Sequence, residues 1–491
     1  MKEKVAAYLK AIDDVIKNGT YKDTWESLNN YPVPAWYRNA KFGVFIHWGV
    51  YSVPAFSNEW YPRNMYIKGT KEYEHHLATY GEHKNFGYAD FIPMFKAEQF
   101  SAHEWIKLLK ASGAKYFMPV AEHHDGFQMY DSELSDWNAA NMGPKRDILG
   151  ELKSASDKED LAFCVSNHRA ENYWFYAGGR DFDSGIQDIH YQEPYGYAHK
   201  DFSKNFEFTG SDIYSTPASK EHLDEWLARN CELVDKYQPK LVWFDWWIQN
   251  ICFKPYLKKF AAYYYNRALE WDVEVAINYK FDAFAYSTAV FDVERGQSKE
   301  IRPRFWQTDT AVAKNSWGYT ENNDFKNPVD IVCDLIDIIS KNGCMLLNIG
   351  PKSDGTISRE DRDILLSIGK WLETNGESIY NTSHWNVYGE GPTEIPEGAF
   401  TDVNRGSFTS EDIRFTYKAP HLYANVLSWP KDNSVNIKSL GKKGFSGHIE
   451  AVEVLGFNAP LEFDRDEDNL KIQVKAHINT LYPVCLKITI D

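Results

Sequence analysis

The chain has 491 residues, of which 16% are aromatic, and its 54 Lys and Arg residues against 70 Asp and Glu give a formal net charge of −16. This length exceeds that of one ordinary core, so we expect a large domain followed by a smaller one. The acidic balance disfavours nucleic acids and anionic membranes as partners and fits a neutral or polar ligand better.

The chain begins with a helical pattern in which Val5, Leu9, Ile12 and Ile16 share one face and charges occur throughout. This is not the pattern of a signal peptide, and no run is long enough to span a bilayer. The six cysteines are scattered without a CxxC pair, which is typical of reduced thiols. We expect a cytoplasmic protein, or a secreted or periplasmic one if a leader was removed; the oligomeric state stays open, a homo-oligomer included.

Eight short apolar runs follow, and most end on a polar residue. They cover residues 42–49, 116–121, 161–165, 241–244, 273–277, 289–293, 305–306 and 345–347. Helical patterns over 103–112, 220–237, 255–270, 329–341 and 358–376 lie between several of them or follow the last. This alternation predicts parallel strands and a closed (β/α)8 barrel of the TIM type. About ten residues separate the fifth run from the sixth and the sixth from the seventh, too few for a crossover helix, so we expect an irregular barrel.

Two further segments complete the predicted organisation. Residues 169–217 form a long connection after the third strand, which is typical of a lid or binding loop. Beyond residue 385 only short, often alternating runs occur, separated by Gly, Pro, Asn and Asp, which predicts an antiparallel β-sandwich. We therefore expect a catalytic barrel over 1–384, including the N-terminal helix and the long loop, and a β-sandwich over 385–491.

The run 241–244 ends on Asp245, in the sequence KLVWFDWWIQ. A carboxylate at the C-terminal end of a buried parallel strand lies at the mouth of the barrel, and Trp243 shares its face by the two-residue period. The alternative is a helix N-cap, but the next helical pattern begins only near Pro255. We therefore predict that Asp245 is a catalytic nucleophile.

Other strand ends bring more polar groups to the same mouth. They are the carboxylate Glu294, the imidazoles His47, His123, His124 and His168, the amides Asn167, Asn278 and Asn348, and the indoles Trp48, Trp60, Trp243, Trp246, Trp247 and Trp306. Hydrogen-bonding groups among aromatic rings suit a sugar, and two acids flanking one bond are what glycoside hydrolysis requires.

A metal site at His123, His124 and Asp125 is the alternative chemistry. Neighbouring residues on a strand point to opposite faces, so the two histidines cannot both ligate one ion unless the strand kinks, and no HxH pair is present. We expect neither a catalytic metal nor a cofactor.

Five segments in order resemble the α-L-fucosidases of glycoside hydrolase family 29. They are WYRNAKFGVFIHWGVYSVPAFSNEWY from Trp36, VAEHHDGFQMYDSELSDWNAANMGPKRDILGEL from Val120, VWFDWW from Val242, NSWGY from Asn315 and LLNIGPKSDG from Leu346. The resemblance covers most of residues 36–380. It implies an exo-acting enzyme that releases terminal α-L-fucose from oligosaccharides or glycoconjugates with retention, through a glycosyl-aspartate intermediate.

The resemblance also implies roles for individual residues. The aspartate of the family's W-x-D segment, the nucleophile, matches Asp245 after Trp243. Residues that bind fucose hydroxyls in the family match the following positions: His47, Glu59, Trp60, His123 and His124.

Two positions depart from the family's pattern. Many relatives have a tyrosine-serine segment after the third strand, where this chain has Asn167 and His168; we expect one of these to supply the contact. Many relatives have Asn-x-Arg after the fifth strand, where this chain has Asn278-Tyr279-Lys280. Lysine keeps the positive charge but loses the forked geometry of arginine.

Two assignments rest on position within the predicted strands. The sixth strand offers Glu294 as the general acid, which we choose over Glu274, Glu300 and Glu321. Phe45 shares the face of His47, so we expect it to line an apolar niche for the methyl group of fucose with help from Trp246.

Two other functions compete with fucoside hydrolysis. One is a related exo-glycosidase for another deoxy or galacto-configured sugar, and the other is a non-catalytic sugar-binding protein. A binding protein should lack one of the two acids, whereas both are present. Linkage and aglycone preference depend on loops, so the sequence does not determine them.

Overall fold

The computed structural model describes residues 2–187, 192–199 and 217–491. The predicted lid over 169–217 therefore lies partly outside the described residues. Its described beginning packs into the barrel domain, where Ala170, Tyr173, Trp174 and Phe175 are buried.

The larger domain is a closed parallel barrel, as predicted. Its strands are β1 Phe42–Ile46, β2 Tyr116–Glu122, β3 Ala162–Phe163, β4 Val165–Asn167, β5 Leu241–Phe244, β6 Ala276–Tyr279, β7 Val290–Glu294, β8 Trp306–Ala311 and β9 Gly343–Ile349. β3 and β4 together form the third of the eight barrel positions, and both pair with β2. The barrel closes because β1 pairs with both β2 and β9.

Helices surround most of this barrel. They are α1 Lys2–Asn18, α2 Trp25–Leu28, α3 Ala35–Ala40, α4 Tyr61–Asn64, α5 Lys71–Tyr80, α6 Ala102–Ala111, α7 Ile148–Lys158, α8 Asn172–Phe175, α9 Lys220–Tyr237, α10 Lys254–Glu270, α11 Pro328–Ser340 and α12 Arg359–Asn375. No helix lies between β6 and β7 or between β7 and β8, segments that are fully described, so the predicted irregularity is confirmed. The sequence patterns did not single out α5 or α7, and they placed the fifth strand, β6, about three residues too early.

The barrel interior is filled by side chains that alternate inward along each strand. One buried cluster includes Phe45, Tyr116, Met118, Cys164, Leu241, Trp243, Ala276, Val290, Cys344 and Leu346. Beneath the mouth, Tyr37 donates a hydrogen bond to Gln307 Oε1 at 2.7 Å and contacts Asn278 Oδ1 at 3.1 Å. Asn278 is thus part of this inner layer rather than of the mouth. The packed interior closes the barrel and leaves its carboxyl end as the concave surface.

The second domain is an antiparallel β-sandwich, which confirms the prediction. Its strands are β10 Ser383–Glu390, β11 Ile413–Lys418, β12 His421–Val426, β13 Ser434–Ile437, β14 Ile449–Val454, β15 Leu461–Arg465, β16 Leu470–Val474 and β17 Val484–Ile490. A five-stranded sheet in the order β10-β11-β12-β17-β14 faces a three-stranded sheet in the order β13-β16-β15. One hydrophobic cluster joins them, with Phe415 and Leu486 from the first sheet and Val435 and Ile472 from the second.

Buried charges connect the two domains. Arg414 of β11 pairs with Asp337 of α11, and Lys341 contacts the same carboxylate at 2.7 Å. All six cysteines are free. Among the described residues, no helix has both the length and the hydrophobicity that a membrane crossing requires.

Candidate active site

A cavity of about 410 Å³ opens at the carboxyl ends of the barrel strands. Its lining residues are His47, Asn58, Glu59, Trp60, His123, His124, His168, Trp243, Asp245, Trp246, Lys280, Phe281, Glu294, Asp309, Trp317 and Phe400. The structure therefore brings together eleven of the thirteen predicted site residues, although they are spread over six strand ends and one loop.

A larger cavity of about 500 Å³ lies away from these strand ends. Its lining includes Lys115, Lys240 and Tyr380, and its two acids, Asp157 and Asp160, are exposed to solvent. Among the described residues that line it there is no histidine and no buried carboxylate, so of these two cavities the one at the carboxyl end is equipped for acid–base chemistry.

Asp245 follows β5 directly and is held by four hydrogen-bonding groups. Its Oδ1 accepts from Lys280 Nζ at 3.0 Å and from the Trp246 backbone N–H at 2.8 Å. Its Oδ2 lies 3.0 Å from His168 Nδ1 and 3.4 Å from His124 Nε2. Burial acts to raise the pKa of Asp245, but Lys280, His168 and His124 outweigh it and hold that pKa well below its usual range. The carboxylate is ionised and fixed in one orientation.

Lys280 links this carboxylate to the second acid. Its Nζ donates to Glu294 Oε2 at 2.7 Å as well as to Asp245 Oδ1 at 3.0 Å. The two bridged oxygens can therefore be no farther apart than about 5.7 Å, close to the separation in retaining glycosidases and below that in inverting ones.

The two acids have opposite protonation tendencies. Burial raises the pKa of Glu294, and the neighbouring Asp245 carboxylate raises it further against the opposing effect of Lys280. The pKa of Asp245 is lowered. A pair of carboxyl groups whose pKa values are separated by their environments is the arrangement that gives one acid and one nucleophile.

Three histidines present neutral imidazoles to the cavity. Burial lowers the pKa of His47 and of His123 well below the usual value, and it lowers that of His168 to about 4 despite Asp245. His47 Nδ1 lies 2.7 Å from Asn348 Oδ1, so this nitrogen carries the proton and Nε2 is left to accept a hydrogen bond. Such groups suit neutral hydroxyls.

Of the two residues that stand where many relatives have a tyrosine-serine segment, His168 lines the cavity. Its Nδ1–H donates to Asp245, and its Nε2 lies 2.9 Å from the Ser166 hydroxyl. Asn167 instead accepts the Arg169 backbone N–H and does not line the cavity. The reason is strand alternation, which turns residues 166 and 168 inward and residue 167 outward.

Phe45 does not line the cavity either, which corrects its assignment to the methyl niche. Its side chain is 0% exposed and packs 4.5 Å from the His47 ring and 5.2 Å from the Trp243 ring, measured between ring centroids. The two-residue period gave the correct face, but Phe45 lies one layer deeper in the barrel interior. Trp246, its predicted companion, does line the cavity.

Only some of the tryptophans predicted at the mouth line the cavity, and the others pack beneath or beside it. Trp60, Trp243 and Trp246 line the cavity, whereas Trp48, Trp247 and Trp306 pack in the core. Glu59 is held by the Trp317 backbone N–H at 2.9 Å and the Ser316 hydroxyl at 3.3 Å.

His124 differs from the other histidines because a buried carboxylate stands behind it. Glu171 pairs with His124 Nδ1 and also accepts from Trp246 Nε1 at 2.9 Å. Burial alone would lower the pKa of His124, but Glu171 outweighs it and raises that pKa to about 9. Burial raises the pKa of Glu171 itself to about 7. Glu171 thus positions two cavity residues and keeps a cation beside Asp245, a role that no local sequence signal indicated.

Replacing Glu171 tests this positioning role. In Glu171→Gln the anion is lost, burial lowers the pKa of His124, and Asp245 loses one neighbouring cation, so its own pKa rises. We expect kcat/KM at neutral pH to fall by up to about 100-fold and the acidic limb of its pH profile to move to higher pH. The exposed Glu98→Gln is the matched control, and an unmoved acidic limb would show that Glu171 only supports the fold.

Five lining residues were not assigned to the site by sequence: Asn58, Phe281, Asp309, Trp317 and Phe400. Asp309 lies on the face of β8 that points into the barrel, and its Oδ2 lies 3.8 Å from Lys280 Nζ. Burial raises its pKa well above the usual range, and the neighbouring Asp292 adds to this effect. A period-two reading of β8 could have found Asp309, whereas Phe400 belongs to the C-terminal part of the chain and gave no such signal.

Within the described part of the chain, two groups of side chains have the donor atoms of a metal site. His47, His123 and His168 form one group and His124, His168 and Asp245 the other, with ligand atoms within 4.8 Å of one another. His123 and His124 fall in different groups, as strand alternation predicts. Both groups need His168, whose two ring nitrogens already contact Asp245 and Ser166, so a metal ion would have to displace one of these contacts.

Comparison with known proteins identifies the family. The family model described as alpha-L-fucosidase matches residues 9–377, and that described as alpha-L-fucosidase C-terminal domain matches residues 407–489. The chain is 32% identical over 429 residues to the tissue alpha-L-fucosidase of Rattus norvegicus, covering 85% of this chain and 81% of that protein. It is 30% identical over 458 residues to the tissue alpha-L-fucosidase of Homo sapiens, covering 91% and 86%.

Solved structures agree. The Thermotoga maritima alpha-fucosidase superimposes with a TM-score of 0.75 at 30% identity, covering 96% of this chain and all of that one. The same enzyme in complex with fucose gives a TM-score of 0.74 at 29% identity with 96% of this chain covered. The chain therefore belongs to the α-L-fucosidases of glycoside hydrolase family 29.

Proposed function

We propose that this protein hydrolyses terminal α-L-fucosides of oligosaccharides or glycoconjugates with retention of configuration, through a covalent intermediate on Asp245. The single observation that carries the proposal is the Asp245–Lys280–Glu294 bridge, which holds a carboxyl group with a lowered pKa close to one with a raised pKa. Membership of the α-L-fucosidase family supports the choice of sugar.

In the first step the ionised Asp245 attacks the anomeric carbon while Glu294 protonates the departing oxygen. The low pKa of Asp245 keeps it unprotonated for the attack, and the raised pKa of Glu294 favours the protonated form that a general acid needs. Lys280 touches both groups, so it stabilises the charge as it passes from one carboxyl to the other.

In the second step Glu294, now ionised, takes a proton from water, which attacks the fucosyl–Asp245 ester. Two inversions at the anomeric carbon leave its configuration unchanged. His47, His123, Glu59 and Trp60 surround the position of the sugar and offer hydrogen-bonding groups for its hydroxyls.

The test is a panel of aryl glycosides in which the α-L-fucoside is compared with α- and β-galactosides. Against the α-L-galactoside, the sugar that differs from the fucoside only by a hydroxymethyl in place of the methyl group, we expect a preference for the fucoside of about 100-fold in kcat/KM, because the methyl group suits a cavity lined by tryptophans. Proton NMR at early times should show α-fucose as the first product. A β-anomer formed first would overturn the retaining mechanism, and a preferred galactoside would overturn the substrate.

A further inference from the structure

Two phenylalanines stand out at the rim of the catalytic cavity. Phe281 is 50% exposed and Phe400 is 59% exposed, whereas the other aromatic residues that line the cavity are buried or half-buried. Both have positive backbone φ angles, 55° and 56°. Exposed aromatic side chains at the edge of a polar cavity, on backbone conformations that side chains rarely adopt, point to a ligand.

Phe400 reaches this rim from the second domain. It belongs to the connection between β10 and β11, and its backbone N–H donates to the carbonyl of Glu294 at 2.9 Å. The next two residues, Thr401 and Asp402, donate their backbone N–H groups to the Arg295 carbonyl at 2.8 and 2.9 Å. The sandwich connection is therefore hydrogen-bonded to the residue that carries the proposed general acid.

Buried contacts hold this connection in place. The Asp402 carboxylate accepts from Thr310 Oγ1 at 2.7 Å and from Lys326 Nζ, and it lies 3.5 Å from Arg295 Nη1. Because the Asp402 side chain is only 7% exposed and its partners Thr310, Lys326 and Arg295 are buried, the position of Phe400 is fixed although its ring faces solvent. A fixed platform loses little entropy when it binds a ligand.

Phe281 approaches the same acid from the other direction. It directly follows Lys280, whose Nζ contacts Glu294 Oε2 at 2.7 Å. Phe281 therefore follows a residue whose side chain is hydrogen-bonded to Glu294, and Phe400 is itself hydrogen-bonded to the backbone of Glu294.

The role of Glu294 as general acid requires the leaving group to lie near the part of the rim that carries Phe281 and Phe400. A general acid must lie within hydrogen-bond reach of the oxygen that it protonates. In an oligosaccharide that oxygen belongs to the sugar unit next to the fucose, so this unit must leave past Glu294. We propose that Phe281 and Phe400 form the subsite for that sugar unit, each offering a ring face to the C–H face of a pyranose. The inference rests on the proposed function and gives the second domain a part in substrate choice.

The experiment compares two substrates that differ in whether the leaving group occupies the proposed subsite. α-L-Fucosyl fluoride has a leaving group that occupies no subsite, whereas a fucosylated oligosaccharide fills it. For Phe400→Ala and for Phe281→Ala we expect kcat/KM for the oligosaccharide to fall about tenfold more than for the fluoride, since a lost aromatic contact of this kind is worth about a factor of ten. Phe463→Ala, an exposed phenylalanine of β15 with 39% exposure, is the matched control and should change neither rate.

A second measurement uses the reverse direction. With an aryl fucoside as donor and lactose as acceptor, the ratio of transfer product to free fucose should fall about tenfold in both variants, because the acceptor occupies the same subsite. Equal losses for oligosaccharide and fluoride with an unchanged transfer ratio would overturn the subsite. Failure of the wild-type protein to hydrolyse the fluoride would instead overturn the proposed function, so the two failures are distinguishable. Unchanged melting temperatures show that the variants fold.

Discussion

Asp245→Gly is expected to abolish nearly all turnover, whatever the leaving group of the fucoside. The carboxylate forms the bond to the anomeric carbon in the first step and is released in the second, so no substrate can bypass it. We expect kcat to fall by at least about 10⁴-fold with aryl fucosides and oligosaccharides alike. The exposed loop residue Asp136 provides the matched control, and Asp136→Gly should retain full activity.

Added azide gives this prediction a stereochemical readout. In Asp245→Gly, azide can enter the space that the carboxylate vacates, on the opposite face from the leaving group of an aryl α-fucoside, and this single inversion should yield the β-fucosyl azide. The vacated space is well defined because Lys280, His168 and His124 remain around it. Normal oligosaccharide hydrolysis by this variant would exclude Asp245 as the nucleophile.

Glu294→Ala is expected to separate substrates by their leaving groups. A sugar alcohol leaves poorly without a proton donor, so we expect oligosaccharide kcat/KM to fall by about 10²- to 10⁴-fold. An activated aryl leaving group departs without protonation, so its first step should be partly spared. The second step then limits the rate, because no base remains to activate water.

Azide should restore aryl fucoside turnover in Glu294→Ala, since azide needs no general base. The product should be the α-fucosyl azide, expected when the β-linked intermediate on Asp245 is attacked with inversion. The pH profile provides a further check. The raised pKa of Glu294 supports activity up to that pKa, and activity is lost as the pH rises through it. This alkaline limb should disappear in the variant, and full oligosaccharide activity would refute the role.

The distribution of the acids supports Glu294 for this role. Glu274, Glu300 and Glu321, the alternatives at the sequence level, do not line the cavity, whereas Glu294 and Asp309 do. Asp309 lies farther from Lys280 Nζ than Glu294 does, at 3.8 Å against 2.7 Å, and its side chain is 1% exposed. It is therefore less accessible to a leaving group at the rim.

Strand periodicity was sufficient to predict the barrel and the inner part of its site. The polar residue that ends a buried apolar run can be assigned to the mouth from sequence, because all parallel strands of a barrel end at the same face. For this reason Asp245, His47 and Glu294 could be placed together from sequence, whereas Lys280 was indicated by the family resemblance. Alternation along the strand was enough to predict that His123 and His124 do not ligate the same ion. The short connections around β7 likewise predicted where helices are missing.

The two-residue period of a strand does not tell how deep in the barrel a given side chain lies. Phe45 and His47 have the same parity on β1, yet only His47 reaches the cavity, because the tilt and stagger of the strands decide which interior layer becomes the floor. Asn167 and His168 differ by one residue, and the pairing of β4 with β2 and β5 decided which of them faces inward. From the sequence alone, either Asn167 or His168 could have faced the cavity.

The sequence by itself determined the barrel, the sandwich and the chemical character of the strand ends, since these follow from local periodicity and residue type. Only the tertiary structure decided that Glu171 stands behind His124, that Lys280 bridges the two acids and that Phe400 of the second domain joins the rim. Each of these is a contact between segments that are distant along the chain. No local pattern encodes such contacts, because they arise only when packing brings separate elements to the same place.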